Sequence, residues 1–119
     1  MTPDEFFKAQ RLHRDGDFAA AVSLLQDILE HTPNHVAAWR LYAGALREVG
    51  RPDDAVDADT KGNAVEADHT ADVGASLLFH GDLKRGRAFF ERAIVLDPDC
   101  ITAHWLLGDI EGREGRDAL

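Results

Sequence analysis

Cysteine and long apolar runs are scarce in this sequence. The single cysteine, Cys100, excludes an internal disulfide framework and a cysteine-based zinc cluster, because each needs more than one cysteine side chain. No apolar run approaches the roughly 20 residues that span a bilayer. The first residues, 1–5, lack the basic start and the apolar stretch of a signal peptide. We therefore expect a soluble cytoplasmic protein without membrane partners, whose thiol stays reduced.

Positive charge is scarce as well. The 119 residues include 13 lysines and arginines against 22 aspartates and glutamates, which gives a formal net charge of −9. Proteins that bind nucleic acid need a basic surface, so we expect no nucleic-acid partner. The acidic excess is spread evenly along the chain and indicates a solvated surface. The length admits one domain.

Apolar residues recur at helical spacing in several segments. The clearest are residues 18–29, 39–46 and 87–96, and glycine or proline lies between such segments. No stretch alternates apolar and polar residues for long enough to predict a strand. The pattern therefore predicts an all-α protein.

The sequence also repeats itself. A set of four residues, namely a small residue, a leucine, a glycine and a second small residue, occurs three times, first after 34 and then after 31 residues. The three sets are Ala9, Leu12, Gly16 and Ala21; Ala43, Leu46, Gly50 and Ala55; and Gly74, Leu77, Gly81 and Gly86. The small residues allow two helix axes to approach closely, and the central glycines can end a helix in a left-handed turn. Pro33 and Pro98 stop the second helix of a pair.

These residues resemble the tetratricopeptide repeat, a helix–turn–helix unit of about 34 residues. The matching positions are Trp39, Ala43, Leu46, Gly50 and Ala55, then Gly81, Phe90, Ala93 and Pro98. The resemblance implies an all-α solenoid of antiparallel helix pairs, with about seven helices in a single domain, 1–119. Its repeats would be residues 2–35, 36–66 and 67–100, followed by a half repeat or capping helix at 101–119.

Two parts of the chain depart from the family pattern. The second repeat is three residues short, lacks the terminal proline and has Asp59 where the family places a large apolar residue. We expect its second helix, about 52–65, to be short, poorly packed or irregular. In the last repeat Trp105 falls one place later than the register of Trp39, and Gly115 is expected to end the helix.

Motifs for metal binding and catalysis are weak. Residues 57–68 resemble a calcium-binding loop, but Lys61 stands at a ligand position and Asp68 is too short for a bidentate ligand, so a helix is favoured. His31 and His35 have the spacing of a helical metal pair, but Pro33 between them breaks that helix. We expect no catalytic residue, cofactor or metal.

The resemblance implies a partner-binding groove lined by the first helix of each repeat. Its candidate residues are Phe6, Gln10, His13, Arg14, Arg40, Arg47, Phe79 and Trp105. Arginine and aromatic side chains are favoured in binding hot spots. In the competing interpretation the arginines pair with neighbouring acids and the aromatic residues belong to the core. The lysines and asparagines that clamp chaperone C-terminal carboxylates in some members are absent.

Three functions follow from this pattern. We expect a non-catalytic module that binds a peptide or partner segment in the groove, in contact with Arg40 and Arg47. A second hypothesis is the N-terminal targeting or regulatory part of a longer enzyme, such as a transferase, because 115–119 repeats the opening of 50–55. The third is self-association into a homo-oligomer through the apolar last helix, which includes Trp105.

Overall fold

The computed structural model describes residues 3–118, and the side chains of residues 4–114. Over this range the chain forms six α-helices and no strand. Their bounds are α1 Pro3–Arg14, α2 Phe18–His31, α3 Val36–Glu48, α4 Pro52–Phe79, α5 Leu83–Leu96 and α6 Ile101–Ala118. The predicted all-α fold of helix pairs is confirmed.

The helices belong to two compact units, residues 1–62 and 63–119. In the first unit α2 packs on α1 and α3, and Leu25 and Leu46 are its largest fully buried side chains among the described residues. In the second unit α5 packs on α6 around fully buried Phe90 and Ile110. Alanines that are fully buried in both cores allow the helix backbones to lie close together.

Three glycines end helices as predicted. The φ angles of Gly16, Gly50 and Gly81 are 84°, 80° and 87°, a region that residues with a side chain rarely adopt. Each glycine is followed by the same closure: the Asp17 N–H, for example, donates to the Leu12 carbonyl at 2.9 Å. This hydrogen bond satisfies a carbonyl group at the helix end. The turns within the three helix pairs are thereby confirmed.

Of the three forms expected for the second helix of the second repeat, the short and the irregular forms are wrong. Instead α4 continues without a break from Pro52 to Phe79, so six helices replace the expected seven. In the other repeats Pro33 and Pro98 interrupt the chain at this point, because proline has no N–H to donate. The shortened repeat has lost those linker residues, and helix-compatible Glu66 and Ala67 stand at the boundary. Two helices therefore merge into one.

The turn predicted at Gly115 is also wrong, since α6 continues to Ala118. A glycine inside a helix costs about 1 kcal/mol relative to alanine, but this alone does not end the helix. The three observed turns are each followed by another helix, namely α2, α4 or α5. No such helix follows Gly115 within the described residues.

His35 starts α3, and its contribution to stability can be measured. Its Nδ1 accepts a hydrogen bond from the Ala38 N–H at 3.1 Å. Because helix N-caps contribute about 1 kcal/mol, His35→Ala should lower the free energy of unfolding by about that amount. His35→Asn should recover part of the loss, since asparagine can accept the same bond. Urea denaturation measures both, with exposed His69→Ala as the control; equal midpoints for all variants would contradict the cap.

Candidate partner-binding site

The predicted groove residues of the first helix lie along α1. Arg14 is exposed, whereas Phe6, Gln10 and His13 are half-buried. The Phe6 ring lies 4.6 Å from the His35 ring, and the structure packs Phe6 against the core. On this helix Arg14 is therefore the most accessible of the predicted binding residues.

Arg40 and Arg47 of α3 both reach Asp59 of α4. The Arg40 Nη1 lies 3.7 Å from the Asp59 Oδ1 and donates to the Asp59 main-chain carbonyl at 3.4 Å. The Arg47 Nη2 donates to the Asp59 Oδ2. Two guanidinium groups thus converge on the residue that replaces a large apolar side chain of the repeat pattern. Pairing with a nearby acid agrees with the competing interpretation, and a binding role for both arginines stays a prediction.

Gly62 brings α4 close to this cluster. A Cβ atom at Gly62 would lie 3.0 Å from the Trp39 Cβ and 3.4 Å from the Arg40 Nη1. Because a side chain would displace both groups, glycine at this position allows the Arg40 guanidinium to lie against the α4 backbone. Gly62 is therefore a positioning residue for Arg40, a role that the sequence pattern did not indicate.

The aromatic candidates of the second unit are exposed. Phe79 at the end of α4 is 88% exposed and Trp105 on α6 is 73% exposed, so neither belongs to the core. Both line one cleft of about 450 Å³. Its other lining residues are Ala75, Leu78, Leu106, Asp109 and Arg113. The Arg113 Nη2 lies 3.1 Å from the Asp109 Oδ2.

His104, rather than Trp105, is the counterpart of Trp39. The Trp39 indole N–H donates to the Pro33 carbonyl at 2.8 Å, and the His104 Nε2 lies 2.7 Å from the Pro98 carbonyl oxygen. Each ring follows its proline by six residues. Trp105 therefore shares the register of Arg40, which is a candidate groove position. Pro33 and Pro98 are 65 residues apart, and the same interval leads from Trp39 to His104, so the sequence does contain the signal for this correspondence.

A hollow of about 350 Å³ in the first unit was not predicted. Its lining residues come from three helices: Gln26, Leu29, Glu30, Trp39, Tyr42 and Lys61. The Lys61 Nζ lies 5.5 Å from the centroid of the Trp39 ring. The Gln26 side chain donates to the Tyr42 hydroxyl at 3.1 Å. A cation of the chain itself thus already covers the aromatic floor of this hollow.

The remaining motifs lie in helices and at their ends. Residues 57–68 lie within α4, which confirms the helical interpretation of the calcium-like stretch. His31 ends α2, and its ring approaches the Asp27 carbonyl. Among the described residues, no three histidine, cysteine or acidic side chains converge as a metal site. Over the same part of the chain, no helix combines the length and apolar character needed to cross a membrane.

Short helical hairpins with small residues at their contacts define a helical repeat protein. A sequence model of the tetratricopeptide repeat matches residues 12–73, which is more than half of the chain. The chain belongs to the tetratricopeptide repeat family. Repeats of this family generally mediate protein–protein interactions and typically form non-catalytic modules. No curated protein gives a significant match to the chain.

Proposed function

We propose that the chain is a non-catalytic protein-interaction module that binds a segment of a partner on the α1–α3 face of the first unit. The observation that supports this face is the convergence of Arg40 and Arg47 on one carboxylate, that of Asp59. Guanidinium groups bind carboxylates through directed, charge-assisted hydrogen bonds. An acidic side chain of the partner would join or replace Asp59 between them.

The surroundings favour an acidic segment. Exposed Arg14 lies on the neighbouring helix and adds positive charge in a chain whose net charge is −9. Half-buried Gln10 and His13 supply polar groups on α1, and a Cβ atom at Gly44 of α3 would lie 3.4 Å from the His13 Nε2. We propose an extended or helical acidic segment as the ligand of this face. We also propose a cytoplasmic location, which the single free, buried Cys100 supports.

Opposite effects of two variants test this assignment. Arg40→Gln with Arg47→Gln should lower the affinity for the partner about tenfold or more, because a charge-assisted hydrogen bond contributes about 1.5–3 kcal/mol. Asp59→Asn should raise that affinity, because the internal carboxylate no longer competes. The partner is recovered from a lysate on the immobilised chain and quantified by mass spectrometry. Its acidic segment is then titrated against each variant by calorimetry.

The matched control removes the same amount of positive charge, two units, from α1 at positions outside the predicted groove residues. Lys8→Gln with Arg11→Gln removes two exposed positive charges and should leave the recovery unchanged. Thermal denaturation of every variant checks the fold. Wild-type recovery by the Arg40/Arg47 variant, at an unchanged melting temperature, would contradict the assignment of this face.

A further inference from the structure

The second unit exposes an unusual amount of apolar surface. Its exposed large apolar side chains are Val73, Phe79, Val95, Ile101 and Trp105. Large aromatic side chains are mostly buried in monomeric proteins and are enriched at interfaces. Phe79 and Trp105 line the same cleft, so their exposure forms one continuous feature rather than two separate ones.

Trp105 connects this cleft to a second hollow. The cleft has an apolar lining of Ala75, Leu78 and Leu106 in addition to the two aromatic rings. The second hollow, of about 700 Å³, is lined by Trp105, Ile101 and Pro98 among others. The Phe79–Trp105 surface, as we name these two hollows together, therefore runs from the end of α4 along the first half of α6.

The fold does not require a tryptophan at position 105. His104 already makes the contact to the Pro98 carbonyl that corresponds to the Trp39 bond of the earlier repeat. The Trp105 indole N–H finds no acceptor among the described residues. A large side chain that neither fills the core nor anchors the turn leaves its apolar area available for another molecule.

We propose that the Phe79–Trp105 surface binds an amphipathic segment of another protein that combines bulky apolar side chains with lysine or arginine. The inference rests on the proposed role as an interaction module and names the partner chemistry for the candidate groove residues of the second unit. Leucine-sized side chains would pack between Phe79 and Trp105, and the basic groups of the segment would lie at the acidic margin of the surface.

Charge selects a basic partner over the alternatives. Arg113 is the basic side chain that lines the cleft, and it is paired with Asp109. Asp99 lines the second hollow, and exposed Asp72 lies one turn before Ala75 on α4. This distribution attracts basic segments and repels acidic ones. It also disfavours a second copy of the chain, which carries the same charge of −9.

Designed peptides test the proposal directly. The probe is a fluorescent amphipathic peptide of leucine and lysine, and its anisotropy is titrated with the intact chain. The peptide should bind the wild type, and Trp105→Ala or Phe79→Ala should weaken it about tenfold or more, as expected of hot-spot residues. Val95→Ala removes an apolar side chain that is 83% exposed but lies outside both hollows, and should leave the affinity unchanged.

Two further peptides separate apolar packing from charge. A serine–lysine peptide and a leucine–glutamate peptide should each bind about tenfold more weakly or worse. The proposal would be overturned if either peptide bound as tightly as the leucine–lysine peptide, or if Trp105→Ala bound the leucine–lysine peptide with wild-type affinity. A wild-type dimer in sedimentation that Trp105→Ala dissociates would also overturn it in favour of a second copy. The Arg40/Arg47 experiment changes residues of the first unit and titrates an acidic segment, so either proposal can fail while the other stands.

Discussion

Ala67→Pro should lower the free energy of unfolding by about 3 kcal/mol or more. Ala67 is fully buried inside α4, far from both helix ends. Proline there removes the N–H that bonds to the carbonyl four residues earlier, and its ring clashes with that carbonyl. If the chain turned at this point, proline would fit, because position 67 follows Pro33 by the usual 34-residue interval.

The control for this variant is a proline that a helix accepts. Val36 is the first residue of α3, and His35 before it has φ −87° and ψ 94°, the extended conformation that precedes proline. Val36→Pro should therefore change the stability by no more than about 1 kcal/mol. Ala67→Gly should cost about 1–2 kcal/mol, because it lowers helix propensity and removes a buried methyl group without introducing the proline clash. Wild-type stability of Ala67→Pro in urea denaturation would show that α4 is interrupted.

The helix pairs could be predicted because their signals are local. A glycine such as Gly16 or Gly81 can adopt the left-handed region wherever it occurs, and Pro33 or Pro98 interrupts a helix irrespective of distant contacts. The merged helix α4 is harder to predict. A repeat of 31 instead of 34 residues can arise from a distorted second helix or from a deleted turn between two helices. The length of the repeat is the same in both cases, so it does not predict which of them occurs.

The candidate site could be predicted only as far as the repeat register extends. The register places Arg40 and Arg47 on one side of α3, and with the prolines aligned it separates His104 from Trp105. It does not predict that both arginines reach Asp59, because that contact depends on the conformations of long side chains. The half-buried state of Phe6 is equally non-local, since it follows from the approach of the His35 ring.

Gly74→Val should lower the free energy of unfolding by about 3 kcal/mol, at the upper end of the cost of overpacking a core. A Cβ atom at Gly74 would lie 2.8 Å from the Cε1 of Phe90 and 3.1 Å from the Cβ of Phe89. Phe90 is fully buried, so its ring has no solvent-filled space into which it could move. A Cβ at Gly86 would in turn lie 3.3 Å from the Gly74 carbonyl oxygen, which shows how closely the backbones of α4 and α5 approach.

The matched control is the same change at Gly108, a helical glycine of α6 with no atom within 4 Å of its Cβ position. Gly108→Val should change the stability by about 0.5 kcal/mol or less, as surface substitutions usually do. Combining Gly74→Val with Phe90→Leu should cost less than the sum of the two single changes, because the smaller side chain relieves the same clash. Urea denaturation of the wild type, the three single variants and the double variant gives the free energies of unfolding that are compared. Two results would contradict the close approach of α4 to α5: additive costs in the double variant, or equal effects of valine at Gly74 and at Gly108. Either would show that a Cβ atom at Gly74 has more than 2.8 Å to the Phe90 Cε1.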